Sequence, residues 1–212
     1  MKKILSLILA AMLCTNVALA ENKSATTFVS NLVDDIVKNV LSSKDTKEKK
    51  AELFEQYILQ AVDTEAIART VLAQYWRTAT PKERDDFIDA FKNMAVKMSA
   101  ERFNVYTGQE VKFFSERPAQ GKNQVFVDST VSSDQKPIQV VWRVREKNGE
   151  YRVLDIIIEG VSMTLSYRNE YTSYLQNHTM QELINELKYQ AEHAAETAEK
   201  QKQEAKKAAA SK

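Results

Sequence analysis

Apolar positions in the first half of the chain recur at three- and four-residue spacing. Phe28, Leu32, Ile36 and Val40 fall one turn apart, with Val29, Val33 and Val37 beside them, which predicts a helix over 24–42. Leu53, Phe54, Tyr57 and Ile58 predict a second helix over 47–62. A third, over 63–76, has Asp63 as its N-cap candidate and carries Ile67, Val71, Leu72 and Tyr75. Thr80-Pro81-Lys82-Glu83 combines capping-box spacing with Pro at the first helical position. It opens a long fourth helix whose stripe runs Phe87, Phe91, Met94, Met98, then Phe103 or Tyr106, with Gly108 as its end.

The period then changes to two. Val111–Phe114, Gln124–Val131, Ile138–Arg145 and Tyr151–Ile158 read as four strands. Their linkers carry Pro118 and Gly121, Asp134 and Pro137, and the dipeptide Asn148-Gly149, a strong hairpin signal. The order implies an antiparallel meander. One face is apolar (Val125, Val127, Ile138, Val140, Trp142, Val144); the other carries Asp128, Thr130, Gln139, Arg143 and Arg145. In the fourth strand Leu154, Ile156, Ile157 and Ile158 are nearly continuous, which predicts burial on both faces. After Gly160 a helix resumes over about 165–189. Residues 190–212 hold no Leu, Ile, Val or aromatic residue and read as an exposed tail. Its last part, 199–212, carries five Lys against two Glu, so it is either a solvated face or weakly attracted to anionic headgroups. The fold class is α+β, a helical layer packed on a four-stranded antiparallel meander.

The first twenty residues stand apart. Met1-Lys2-Lys3 is a positive start, Ile4–Leu13 a ten-residue apolar stretch, and Ala18-Leu19-Ala20 a small-x-small site. That order predicts a secretory signal peptide over 1–20, too short to span a bilayer. Cys14 would suit a lipoprotein, but Leu13 precedes it where a small residue is expected. The organisation is therefore leader 1–20, domain 21–189 and tail 190–212. The exported chain would have no cysteine and hold its fold by its core alone. Of 30 bases and 29 acids, removing Lys2 and Lys3 leaves 28 against 29, a net charge of −1. This near balance gives no electrostatic case for nucleic acid. No later segment reaches eighteen apolar residues, so the exported protein is expected to be soluble.

Candidate chemistry is sparse. The four glycines (Gly108, Gly121, Gly149, Gly160) lie at least eleven residues apart, which excludes GxGxxG, Walker-A and GxSxG loops. Two histidines, His178 and His193, and one cysteine exclude CxxC and HExxH sites, and no metal set is predicted. The pairs Asp34-Asp35 and Asp85-Asp86 point apart on their helices and read as surface charge. Ser162, Ser166 and Ser173 have no histidine in a nameable constellation. Asp155 differs, being embedded in Val153-Leu154-Asp155-Ile156-Ile157. It is a structural ion pair with Arg143, Arg152 or Arg168, a solvent-facing edge acid, or a catalytic acid. The first is preferred, with Arg168 as partner.

Four segments in fixed order resemble a known family. They are Ile67–Pro81, which includes Tyr75-Trp76-Arg77; Glu83-Arg84-Asp85-Asp86-Phe87 with Ala90-Phe91; Tyr151–Ser162, which includes Asp155 and Glu159-Gly160-Val161-Ser162; and Tyr167-Arg168-Asn169-Glu170-Tyr171. Together they are similar to the toluene-tolerance family of periplasmic phospholipid shuttles in the maintenance-of-lipid-asymmetry pathway. The likeness runs from about residue 25 to 190. Ala73 stands where Gly is expected, Tyr151 where Trp is, and Tyr171 where Phe is. The resemblance implies a phospholipid held between an antiparallel sheet and a helical layer, acyl chains buried and headgroup in water. It implies handover between an outer-membrane lipoprotein–porin complex and an inner-membrane ABC-type transporter with its ATPase. It implies no catalytic residues and no cofactor beyond the lipid cargo.

The largest apolar residues on elements expected to face each other are the candidate lipid contacts. From the sheet these are Val140, Trp142, Val144, Ile156 and Ile158; from the helices, Leu72, Tyr75, Met98, Phe103, Met163 and Tyr167. Arg77, Arg84, Arg143 and Arg168 are candidates for the phosphate. Two other readings remain: an isomerase-like enzyme on a cone-shaped α+β fold, using Asp155 and a Tyr, and a lipid-free periplasmic adaptor or chaperone.

Overall fold

The computed structural model describes residues 24–103, 106–132, 136–197, 199–200 and 203. The expected leader at 1–20 and most of the lysine-rich end lie outside them. Helix starts follow their caps. Side chains of Ser24, Thr46, Asp63, Thr80, Ser162 and Thr179 accept from backbone N–H groups at the starts of α1 (Ala25–Ile36), α2 (Lys47–Ala61), α3 (Thr64–Leu72), α5 (Pro81–Ala100), α6 (Met163–Tyr174) and α7 (Met180–Glu192). Both Thr80–Glu83 and Thr179–Glu182 form reciprocal capping boxes. A short α4 (Tyr75–Thr78) follows α3, and a π-helical turn, Val37–Leu41, extends α1.

Several expected helices are divided. The one over 165–189 is two, because Leu175 caps α6 and Thr179 starts α7. The fourth stops at Ala100 rather than near Gly108, and Phe103 packs back beyond its end. The third stops at Leu72, where Ala73 adopts φ 51°, ψ −117°. That conformation favours glycine, and a residue with a Cβ held there stores about 1–3 kcal/mol of strain. Ala73→Gly is therefore expected to stabilise the fold by about 1 kcal/mol after its unfolded-state entropy is counted. In a domain of this size that raises Tm by roughly 2–4 °C, measured by thermal denaturation.

The sheet has five strands, not four: β1 (Val111–Pro118), β2 (Gln124–Val131), β3 (Ile138–Lys147), β4 (Glu150–Ile158) and β5 (Val161–Ser162), in the order β1-β2-β3-β4-β5. The two-residue β5 is too short to leave an alternation in the sequence. All neighbouring pairs are antiparallel, as the meander reading expects. Asn148 (φ 57°) and Gly149 (φ 79°) make the β3–β4 turn. Register sets Val127 beside Trp142 and Trp142 beside Ile156. On this inner face Val127 and Val144 bury against Ala25 and Val29 of α1. The Trp142 indole donates to Ser129 Oγ (3.1 Å), whose hydroxyl donates to the Val140 carbonyl (2.8 Å), so the polar groups there are satisfied.

The helices form a second core, in which Leu72, Phe87, Met94, Leu183, Ile184 and Leu187 are fully enclosed. Its members come from helices α3 to α7 and the turn that continues α7, with none from the sheet among the described residues. Ala191 and Ala194, in the stretch read as having nothing to bury, belong to it. Alanine at helical spacing continues the α7 stripe without the bulk that marks one in a sequence. No helix among the described residues is long and apolar enough to cross a membrane.

Candidate functional site

A groove of about 600 Å³ lies on the outer face of β2–β4, between α3 and the start of α6. The two-residue period of the strands puts Gln124 and Phe126 there from β2, and Arg143, Arg145 and Lys147 from β3. In β4 the register shifts by one residue: Arg143 pairs with Asp155 but Val144 pairs with Val153. Leu154 is the extra residue, and this bulge turns Leu154 and Asp155, consecutive in sequence, toward one groove. Ile157 follows, and Ser162, Thr164 and Leu165 close the far side. One face of α3 contributes Glu65, Ala66, Arg69 and Thr70, with Asp63 just before it. The groove thus has an apolar floor (Phe126, Leu154, Ile157) and a charged rim.

The rim is ordered by its own contacts. Arg143 donates through Nε to Gln124 Oε1 and through Nη2 to the Gln120 carbonyl, each at 2.8 Å. Arg145 pairs with Asp63, whose other oxygen accepts the Ala66 N–H at the start of α3. Asp63 N–H bonds the Val153 carbonyl, and Val62 bridges Val153 in parallel, so the α2–α3 link is stitched to β4. The buried Nε of Arg145 has no hydrogen-bond partner. Arg69 pairs with Glu65 at 2.7 Å on its own helix.

Asp155 is 7 % exposed, and its environment corrects the expected ion pair. It accepts from Ser162 Oγ (2.5 Å) and from the Thr164 N–H (2.9 Å), and no ion pair joins it to an arginine among the described residues. Ser162 Oγ in turn accepts the Leu165 N–H, and Thr164 Oγ1 donates to the Leu154 carbonyl. The carboxylate therefore clamps β4 to the N-terminus of α6, where backbone donors favour an anion. No tyrosine lines the groove among the described residues. Tyr167 and Tyr171 sit in the helical core, where burial pushes their hydroxyls above the ordinary tyrosine range. No cluster of three or more metal-ligating side chains occurs among the described residues.

The eleven candidate lipid contacts do not converge in this groove. Leu72, Tyr75, Met98 and Tyr167 belong to the helical core, and Phe103 to a neighbouring cluster with Val40, Val96 and Ala100. Trp142 and Val144 pack against α1, and Ile156 joins Leu32 and Val153 beneath α1 and α2. Val140 is buried and Met163 half-buried. Ile158 is 39 % exposed and lies beside two more exposed apolar residues, Val161 (54 %) and Leu165 (50 %), forming a lip around the β4–β5 turn. The signal for the groove was the continuous apolar run of β4. A second hollow of about 400 Å³ opens between α1, α2 and the β3–β4 hairpin, floored by Phe28, Leu32, Tyr57 and Ala61.

Such a groove can hold an apolar chain on its floor and an anion at its rim, the build of a binding domain for an amphiphile. The family model described as MlaC protein matches residues 27–189, and the chain belongs to that family. A Haemophilus influenzae protein named intermembrane phospholipid transport system binding protein MlaC is 24% identical over 195 residues, spanning 89% of this chain and 91% of that one. A solved structure of the phospholipid-binding protein from Ralstonia solanacearum, in complex with a phospholipid, has the same fold. Its TM-score is 0.73 at 23% identity, covering 82% of this chain and 99% of that chain.

Proposed function

We propose that the chain is a soluble periplasmic carrier that binds one phospholipid by its acyl chains and shuttles it between membranes. The observation that carries this reading is the apolar floor of Phe126, Leu154 and Ile157, with Leu165 exposed at its edge and Arg69, Arg143, Arg145 and Lys147 at its rim. Membership of the MlaC family, and the names borne by its two relatives, support it. The partners of the carrier are an outer-membrane lipoprotein–porin complex and an inner-membrane ABC-type transporter, and the shuttling maintains outer-membrane lipid asymmetry. The chain acts without catalysis and without a cofactor other than its cargo. Export by the leader 1–20 places it in the periplasm.

The energetics fit a carrier handed between docked partners. Each buried CH₂ is worth about 0.8 kcal/mol, so two chains of roughly sixteen carbons resist exposure to water by about 25 kcal/mol. Release into solvent is excluded, and a groove about as apolar as the bilayer makes handover nearly balanced. Val140, Ile156 and Ile158, on the inner face of the sheet, and Met163, at the start of α6, are proposed to part around the chains as they enter. The exported protein, purified from cells without added lipid, is expected to show a mass increment of one phospholipid by native mass spectrometry. A preparation that is homogeneous, folded and lipid-free would favour the adaptor reading instead.

A further inference from the structure

Beyond the cargo groove, the turn joining α3 to α4 and the facing side of α6 enclose a hollow of about 660 Å³. Three arginines line it, Arg69, Arg77 and Arg168, with Thr70, Gln74 and Trp76, and no acidic residue is among its lining. It continues along α6 past Asn169 and Thr172 into a shallower depression. Arg69 is paired with Glu65, but Arg77 and Arg168 still leave a local excess of one sign in a chain whose charges almost cancel. Arg77 and Arg168 are exposed, and neither guanidinium makes a hydrogen bond or ion pair among the described residues. Arg69 and Arg84 stand 5.4 and 5.2 Å from the centre of the Trp76 ring, so the tryptophan anchors Arg69 in the lining and Arg84 outside it. Arg84 Nε also donates to the Trp76 carbonyl at 2.9 Å, which fixes the turn that presents Arg77.

We infer that this hollow is a docking site for an acidic segment of a partner protein. The charge selects carboxylates, and Arg77 and Arg168 are free to meet them with paired donors. The shape selects a protein segment rather than a bilayer. The surface is concave, and Trp76 is only 9 % exposed, leaving no aromatic wedge for a membrane interface. The exposed amides of Gln74 and Asn169 suit the polar backbone of a peptide. Position supplies the consequence: Arg69 and Thr70 line both this hollow and the cargo groove, and Leu165 borders the groove and the depression on α6. A partner seated here would lie against the mouth through which lipid passes. This inference rests on the carrier reading for its purpose, but not for its physics.

The test uses the exported chain with a fluorescein-labelled oligo-glutamate peptide, read by anisotropy, with oligo-lysine as the control peptide. Binding of the acidic peptide is expected, weakening as salt shortens the Debye length. Arg77→Glu/Arg168→Glu is expected to bind at least about tenfold more weakly, since it turns attraction into repulsion at the contact. Lys38→Glu/Lys122→Glu, the same charge change on distant exposed lysines, is expected to bind as the parent does. Native mass spectrometry of each variant reports its phospholipid separately: a parent without lipid overturns the carrier reading, whatever the peptide result. Three results overturn the docking site: unchanged peptide binding in the arginine variant, equal loss in both double variants, or a parent that binds anionic vesicles but not the peptide.

Discussion

Ile157→Glu is expected to yield a folded protein that has lost its phospholipid. Ile157 forms part of the floor of the outer-face groove and is half-buried, so a longer polar side chain there meets open space rather than a packed core. The folded state tolerates it because the new carboxylate can reach water and the basic rim. An acyl chain laid on the same floor would strip that carboxylate of solvent. Leaving a polar or charged group dry in hydrocarbon costs several kcal/mol. Even about 2–3 kcal/mol of lost binding energy weakens affinity roughly 30- to 150-fold. Circular dichroism establishes the fold and native mass spectrometry counts the lipid. Val140→Glu probes the inner face of the sheet, where the residue is buried, and Met163→Glu the start of α6. Loss in those two but not in Ile157→Glu would move the chains to the space between sheet and helices. Stoichiometric lipid in all three folded variants would place the chains at neither site.

What was readable beforehand, and what was not, follows from how each feature is encoded. The antiparallel order was legible because Asn148-Gly149 admits few turns and because Val125, Val127, Trp142 and Val144 alternate cleanly. The break between α6 and α7 is encoded by Thr179-Met180-Gln181-Glu182, a capping box, but the helical spacing of apolar residues continues across it toward 189 and masks it. The groove escaped for a different reason. It lies on the face where Arg143 and Arg145 alternate with apolar residues, and charges in a strand are read as solvent-facing. Only the unbroken Leu154–Ile158 stretch, with one acid inside it, indicated that this face was covered as well. The candidate contacts are the largest apolar residues on facing elements, and several of them are core. Leu72 and Val144 are fully enclosed, whereas the lip residues Val161 and Leu165 are flanked by polar neighbours and carry no periodic signal. Family likeness conveyed the fold, since motif order survives where individual contacts drift.

Asp155→Ala is expected to cost about 3 kcal/mol, and Arg168→Gln almost nothing. The sequence alone suggested that these two residues pair across the turn at Gly160. In the structure the Asp155 carboxylate instead takes the Ser162 hydroxyl and the Thr164 N–H. Hydrogen bonds to a charged acceptor are worth about 1.5–3 kcal/mol each, and Ala would leave the buried Thr164 N–H without a partner. In a domain of this size each kcal/mol shifts Tm by roughly 2–4 °C, so a fall of about 6–12 °C is expected. Asn at 155 keeps an acceptor for Thr164 but takes away the acceptor that the Ser162 hydroxyl uses, so its loss should fall between parent and Ala. Ser162→Ala, which removes the cap of α6 and one of the two bonds to Asp155, should also fall between them. Because the clamp fixes where α6 leaves the sheet, and Leu165 of the lip lies on its first turn, lipid occupancy should decline together with Tm in this series. Arg168 carries its guanidinium into the docking hollow, away from the clamp, and its replacement should stay within about 0.5 kcal/mol of the parent, as for an exposed surface change. Thermal denaturation of the four variants decides the matter. A drop in Arg168→Gln as large as that in Asp155→Asn would restore the ion pair and refute the clamp. An Asp155→Asn protein as stable as the parent would remove any structural need for the acid and reopen a catalytic one.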